Sequence, residues 1–392
     1  MRAVANTASN DWRQAASYRA WAAFHSFQRL VPTCKPNLPE NAMNMNEDKL
    51  HAFLGKAVDD LGAAISSTLM IVGDRLGLYK ALAQGPLSST ELAARTGTNE
   101  RYVHEWLNNQ AAGGYVDYAA DTDKYSLNDE QRLCLADPDG PVDLPGAQYL
   151  VESVFHALDR TIVNFKTGEG MEWGEHHPCL FHGCERFFRA GYNTSLLSAW
   201  LPALDGIVDK LQRGGRAADV GCGHGASTIL MAKAFPDSEF FGYDYHAASI
   251  DIARQRAKQA GISNAHFQVA EGTGYRERGF DLIAFFDCLH DMADPIGAAR
   301  HARHALKPNG SCMLVEPFAD DAPQNNHNPV GRVYYGASSQ ICVPVSLARK
   351  GPALGAQAGE ARLRAVMLDG AGFSRMRRAA ETPFNLVLEA RP

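Results

Sequence analysis

The sequence predicts an α/β protein in two parts, a mostly helical domain followed by a doubly wound parallel sheet. Three observations carry this. From about residue 211 short apolar strands alternate with helical segments, a glycine-rich turn joins the first strand to its helix, and the preceding region reads helix, helix, helix, hairpin. A chain of 392 residues also exceeds what one hydrophobic core commonly fills.

Residues 1–46 stand apart as an extension. Arg2, Arg13, Arg19, Arg29 and Lys35 are set against only Asp11 and Glu40, and the proline-spaced VPTCKPNLPE reads as an extended linker. A basic, acid-poor start fits an organelle transit peptide. It also fits a disordered tail, or a start placed ahead of Met43 or Met45, and these blander readings are preferred.

Residues 47–135 supply the helical domain. AISSTLMIVGDRLGLYKALAQG has helical apolar spacing and closes on Gly85 and Pro86; Ser88 and Glu91 then form a capping-box pattern ahead of a short helix. TNERYVHEWLNNQAAGG gives a further helix, and YVDYAADTDKYSLND alternates like a hairpin around a polar tip. This is the order of a winged helix. Its groove-binding helix would offer Arg101 and His104 beside Glu100 and Glu105, and its wing carries Asp121 and Asp123 against Lys124. Duplex binding needs cations against phosphates, so this face argues for dimerisation instead and makes a nucleic-acid partner an unfavoured reading. The net charge of −6 points the same way.

Residues 136–210 read as a helical linker and substrate lid. Within it EHHPCLFHGCE gathers His176, His177, Cys179, His182 and Cys184, but no paired C-x-x-C or His-x-x-x-His spacing appears, so no metal is expected. The 8 cysteines of the chain are scattered without a repeated spacing, which fits reduced thiols in a cytoplasmic protein. No apolar run approaches the roughly 18 residues of a membrane helix.

The sheet occupies residues 211–392. RAADVG is a strand, GCGHGAST a glycine-rich turn and TILMAKAFP a helix; EFFGYDY, HFQVAEG, FDLIAFFD and SCMLVEPF follow as strands, with helices between most of them and an insertion at about 320–362. Ligands bind such sheets at the carboxyl ends of the strands. Gly221, Gly223 and Gly225 stand at the first of those ends, where they permit a sharp turn and a close approach of ligand to backbone. With Ala226 and Asp244 the same turn satisfies a dinucleotide fingerprint, so a nicotinamide oxidoreductase is a serious rival. Charge separates the readings. Asp219, Asp244, Glu271 and Asp287 all fall at strand ends; they would repel a pyrophosphate and suit a ligand carrying a sulfonium and an ammonium.

ADVGCGHGAST, GYD, VAEG, FDLIAFFDCLHDMADP and LKPNGSCMLVEP together resemble the successive motifs of class I S-adenosylmethionine-dependent methyltransferases, and the preceding domain is similar to the dimerisation domain of small-molecule O-methyltransferases, a bacterial winged-helix subgroup included. The resemblance implies a Rossmann-like methyltransferase domain, S-adenosyl-L-methionine as cofactor, a small-molecule substrate and a homodimer. It implies that Asp219, Gly221, Gly223 and Gly225 hold the methionine portion, that Asp244 takes the ribose, that Glu271 and Gly272 meet the adenine, and that Phe286 and Asp287 lie beside the methionine portion. His290 matches a general base followed by Asp291 and Asp294, with Met292 where tryptophan is usual, and Glu316 matches an acid that orients that base. A second such acid has no clear counterpart; Glu360 is only nearby. Methyl transfer to a hydroxyl needs removal of a proton, which a histidine can accept at neutral pH. From the residues alone, His290 as base and His290 as pocket lining stay open. So does the rival of a winged-helix regulator that uses the cofactor fold as a sensor.

Overall fold

The computed structural model describes residues 46–392; the expectations for the basic extension otherwise fall outside the described residues. The chain divides into two compact units, Met1–Ser66 and Ser67–Pro392. No helix among the described residues is long and apolar enough to cross a membrane.

Helix α1 (Glu47–Arg75) is followed by α2 (Leu78–Leu82), α3 (Ser89–Thr96) and α4 (Glu100–Ala112), then by the hairpin β1 (Asp117–Ala119) and β2 (Lys124–Ser126) and by α5 (Asp129–Leu135). The expected single helix up to Gly85 is two. Gly77 adopts a left-handed backbone (φ 70°), a conformation that side chains resist and that ends α1. The Ser88–Glu91 capping box forms as read, with both reciprocal hydrogen bonds. Leu87 pairs with Tyr125 through an isolated antiparallel bridge, and Met70, Leu78, Leu82, Leu92, Val103, Trp106 and Leu107 make the buried core of this region.

Three further helices, α6 (Leu144–His156), α7 (Leu158–Thr167) and α8 (Cys179–Gly191), lead to the sheet, and α8 runs on through a wider π-type stretch, Tyr192–Trp200. A buried arginine fastens them. Arg186 on α8 donates through Nε to Asp143 at 2.6 Å, ahead of α6, and through Nη2 to Asp74 at 3.1 Å, while the Tyr149 hydroxyl donates to Asp74 at 3.0 Å. Buried charges of this kind persist only when every partner is present.

Seven strands form one sheet: β3 (Arg216–Val220), β4 (Glu239–Asp244), β5 (Ala265–Val269), β6 (Phe280–Phe286), β7 (Leu306–Pro317), β8 (Arg375–Glu381) and β9 (Asn385–Arg391), in the order β5-β4-β3-β6-β7-β9-β8. The first five are mutually parallel, whereas β9 and β8 pair antiparallel and were not read from the sequence. All seven residues of β6 are buried, as a central strand covered on both faces requires. The segment Lys307–Gly310, which follows the helix Pro295–Ala305, lies inside β7. Phe280 pairs with Leu306 but Leu282 with Ser311, so the extra residues are taken up as an irregularity in the ladder.

Strand order reverses at the β3–β6 boundary, where parallel sheets open a crevice. The register sets what surrounds it: Val220 pairs with Phe285, and Phe286 with Val315. Gly221, Asp287 and Glu316 are therefore neighbours at the ends of three adjacent strands. The insertion after β7 is helical, Pro329–Ala337 and Val343–Ala348 joined by a π-type turn, and it supplies a wall of the crevice.

Candidate active site

The crevice is a cleft of about 360 Å³ lined from both ends by residues singled out in the sequence: Gly221, Gly223, Asp244, Glu271, Gly272, Phe286, Asp287 and His290. Gly221, Gly223 and Gly225 all take positive φ (81°, 51° and 78°). Their neighbours differ. A Cβ on Gly221 would stand 2.6 Å from Cys288 Sγ and one on Gly225 would stand 2.8 Å from the Phe267 ring, so these two are demanded by packing. Nothing lies within 4 Å of a Cβ on Gly223, which faces open space where a ligand can approach the chain.

Asp244 closes the turn. Its Oδ2 accepts the Gly223 N–H at 2.9 Å and its Oδ1 the His246 N–H at 2.8 Å, leaving lone pairs for a diol in the cleft. Burial nonetheless raises its proton affinity, against the lowering effect of those two amides. Beyond it Glu271 is held by both guanidinium nitrogens of Arg349, at 2.8 and 3.1 Å, and Arg349 stands 5.1 Å from the centre of the Tyr245 ring. Neither Tyr245 nor Arg349 was anticipated; a charged residue 78 positions from its partner carries no local signal.

Asp219 stands behind the glycine turn. It is absent from the cleft wall; buried, it accepts the hydroxyls of Ser227 at 2.5 Å and Thr228 at 2.7 Å in the first turns of the helix Ala226–Ala234. It thus shapes the glycine turn from behind, as a buried carboxyl pushed up to about 6 by desolvation.

Asp287 follows β6 with a left-handed backbone (φ 50°), rare outside glycine and short polar residues. Its N–H donates to Val315 at 2.7 Å, and its Oδ1 accepts from Asn385 at 2.9 Å on β9. The other oxygen, Oδ2, is buried without a hydrogen-bond partner in a residue that lines the cleft. Burial, with Glu316 close by, holds this carboxyl well above the usual range. Phe286 closes the wall edge-on against Tyr192, with ring centres 5.1 Å apart.

His290 and Glu316 are both buried and in direct contact, Nδ1 to Oε2, while Glu316 Oε1 accepts the Leu289 N–H at 3.0 Å. The carboxylate is thereby fixed at both oxygens, and the imidazole is aimed with its other edge, Nε2, away from Glu316. Burial opposes a charged imidazole, but the adjacent carboxylate overrides it and holds His290 well above its ordinary value. Asp291 is pushed up to about 7 by burial. Met292, in place of the expected tryptophan, lies in the wall facing the glycines: a Cβ on Gly272 would be 3.6 Å from its Sδ. Glu360 is engaged by Arg364 and Arg378 and does not reach the cleft, and the side chain beside His290 is instead the Cys342 thiol.

The part of the cleft away from the glycines is built of Phe181, Phe187 and Phe188 from α8 and Tyr334, Ile341 and Val345 from the insertion. Tyr334 is buried and its hydroxyl donates to the Phe384 carbonyl at 2.8 Å, whereas Tyr335 is exposed and outside the wall. Arg349 is the one Arg or Lys among the lining residues, and Glu271 neutralises it. A pyrophosphate would find no free cation here.

Comparison with known proteins agrees with this geometry. Residues 211–340 match the family model described as methyltransferase domain, and residues 63–137 match that of the Rv2258c-like winged HTH domain. The chain is 27% identical over 110 residues to the uncharacterized methyltransferase YcgJ of Bacillus subtilis, covering 28% of this chain and 43% of that protein, so the match spans under half of the relative's length. It is 24% identical over 276 residues to the mitomycin biosynthesis 6-O-methyltransferase of Streptomyces lavendulae, covering 68% and 78%. Among solved structures, human N-acetylserotonin methyltransferase in complex with SAM superposes with a TM-score of 0.60 at 18% identity, over 86% of this chain and 96% of that one. Residues 211–340 thus carry a methyltransferase domain behind a winged-helix domain at residues 63–137, on a glycine-turn sheet whose fold is shared with solved methyltransferases.

Proposed function

We propose that the protein methylates a hydroxyl of a neutral, largely apolar small molecule, with S-adenosyl-L-methionine as donor and His290 as general base. The observation that carries this is the buried His290–Glu316 pair, whose imidazole lines the same cleft that begins at the glycine turn while Glu316 stands behind it. The cofactor's activated methyl group supplies the electrophile. The chain's residues would do the rest. Gly223 leaves room for the methionine portion, and Asp287, with an unpaired buried oxygen, offers a place for its ammonium. Asp244 would take the ribose hydroxyls, with Glu271 and Gly272 at the adenine end and Phe286 beside the methionine portion. His290 Nε2 would receive the hydroxyl proton, and Glu316 would steady the resulting imidazolium while fixing which nitrogen is free. The aromatic wall excludes water and sets the substrate class; with no free cation in that wall, acidic substrates are disfavoured.

In this reading residues 47–135 serve as the winged-helix domain, 136–210 as linker and lid, and 211–392 as the catalytic domain of a cytoplasmic homodimer. The exposed apolar side chains Phe53, Leu54, Val58 and Leu61 on α1 suit a subunit interface. DNA binding has less support: Arg101 on α4 pairs with Glu105, and Lys124 of the wing with Glu91 at 3.0 Å. A thermal-shift comparison tests the donor. S-adenosylhomocysteine should stabilise the protein and NAD should not; the reverse would replace the methyl-transfer reading with the oxidoreductase one.

A further inference from the structure

Among the described residues, one set of three metal-ligating side chains brings its donor atoms within 4.8 Å of one another: His156, His177 and Cys179. It lies outside the cleft, since none of the three lines it. His156 is the last residue of α6, and Cys179 is the first of α8. The two imidazoles are stacked with centres 3.9 Å apart and 14° between planes, and His177 Nδ1 is 2.9 Å from Cys179 Sγ. The same Nδ1 accepts the Cys179 N–H at 3.3 Å. Both histidines are exposed and the thiol is buried, so an ion would enter from solvent onto two imidazoles and end on sulfur.

We infer that His156, His177 and Cys179 form a zinc site that clamps the end of α6 to the start of α8. Two nitrogens and one thiolate are a borderline-soft donor set that suits zinc and leaves a fourth position for water. Zinc–nitrogen bonds of about 2.0–2.1 Å and zinc–sulfur bonds of about 2.3 Å place neighbouring tetrahedral donors roughly 3.3–3.6 Å apart. His177 Nδ1 and Cys179 Sγ, now 2.9 Å apart, must open by roughly half an ångström, separations of up to 4.8 Å must close by about an ångström, and the face-to-face rings must turn edge-on to the ion; the half-exposed His156 has room to do this. One cation stands close. Arg75 is held by Glu152 at 3.1 Å, and that same carboxylate lies 4.0 Å from His156 Nε2, so the charge of Arg75 is met before it reaches the site.

The position gives the site a purpose. α8 carries Phe181, Cys184, Glu185, Phe187 and Phe188 into the cleft wall. An ion at its first residue would stiffen that wall. The sequence could not show the site, because His156 lies 21 positions before His177 on another helix and makes no recognisable spacing with it.

The test uses the full chain, freed of metal by a chelator and titrated with Co²⁺ followed by Zn²⁺. Wild type should develop the near-ultraviolet charge-transfer band of a cobalt–thiolate bond, lose it when Zn²⁺ displaces cobalt, and melt at a higher temperature with Zn²⁺ than without. Cys179→Ser should lose the band, His156→Ala should lose the zinc-dependent rise in melting temperature, and Cys342→Ser should keep both. A band that persists in Cys179→Ser, or wild type that shows neither band nor thermal shift, overturns the proposal and leaves a stacked histidine pair only.

Discussion

Glu316 holds His290 from behind: one carboxylate oxygen meets Nδ1 of the ring, and the other accepts the N–H of Leu289, the residue just before it, at 3.0 Å. Ring and backbone are fixed together by one side chain at the end of β7. Such double anchoring sets both the tautomer and the direction of the ring, which is what the proposed role as base requires.

Replacing His290 by Ala should leave binding of S-adenosylhomocysteine nearly unchanged, since none of the groups proposed to hold the cofactor is hydrogen-bonded to His290, yet lower turnover by about 100-fold or more. Glu316→Gln should cost less, because the imidazole remains but loses its ionic partner. Single-turnover kinetics with a hydroxylated aromatic acceptor would measure both. Unchanged turnover in His290→Ala would reduce His290 to pocket lining.

The pH dependence has a definite sign. The carboxylate raises the proton affinity of His290, so its base form is favoured only above its ordinary value, and kcat/KM should rise with pH through an apparent pKa above 6.5. In Glu316→Gln that midpoint should move down. Stability runs the other way: the ionic pair contributes fully below the ordinary histidine value and is lost as pH rises through the raised one. The melting-temperature difference between wild type and Glu316→Gln should therefore shrink from neutral towards alkaline pH. Glu316→Gln also relieves Asp287 and Asp291 of a neighbouring charge that raises both, so the comparison is repeated in the Asp287→Asn background to separate that contribution from the His290 pair.

The sequence made one end of the cleft wall legible, because Gly221, Gly223, Asp244 and Gly272 all sit within short motifs at strand ends, where one local pattern specifies both backbone and position. His290 and Glu316 were readable for the same reason. Residues brought in by tertiary packing were not. Arg349 reaches Glu271 from the insertion, Asn385 reaches Asp287 from an antiparallel strand, and Cys342 meets His290 from a helix far along the chain. The partners of Asp219 were not readable either: its carboxyl accepts the hydroxyls of Ser227 and Thr228 from the following helix.

Asp287 offers a test in which stability and binding move apart. Its carboxyl is buried, raised well above the usual range, and has one oxygen without a partner. A carboxyl so raised contributes stability below its unfolded value and loses it as pH climbs, so at neutral pH its charge weakens the fold. Asp287→Asn keeps an acceptor for the Asn385 amide and removes the charge. The ligand-free variant should melt higher than wild type at pH 7 to 8, by about 1–2 °C for about 1 kcal/mol recovered. Its stabilisation by S-adenosylmethionine should be smaller, because the ammonium loses its counter-charge. A variant that gains stability and binds the cofactor as tightly as wild type would remove Asp287 from the binding site.

Gly223 and Gly225 separate the two uses of glycine in one turn. Both have positive φ, so alanine at either carries a backbone cost of about 1–2 kcal/mol. At Gly225 the added methyl also meets the Phe267 ring at 2.8 Å and Ala253 Cβ at 3.0 Å, both buried, and neither can retreat without disturbing β5 or the helix Ala247–Gln259. Overpacking of this kind adds about 1–3 kcal/mol. At Gly223 the methyl meets nothing. Urea unfolding without ligand should therefore rank Gly225→Ala as clearly less stable than Gly223→Ala, and Gly223→Ala as only modestly below wild type. Titration with S-adenosylhomocysteine should give a different contrast: Gly223→Ala, although well folded, should lose most of its affinity, because its methyl stands in the space the ligand needs. Normal affinity in Gly223→Ala would show that the ligand does not approach the turn at that residue.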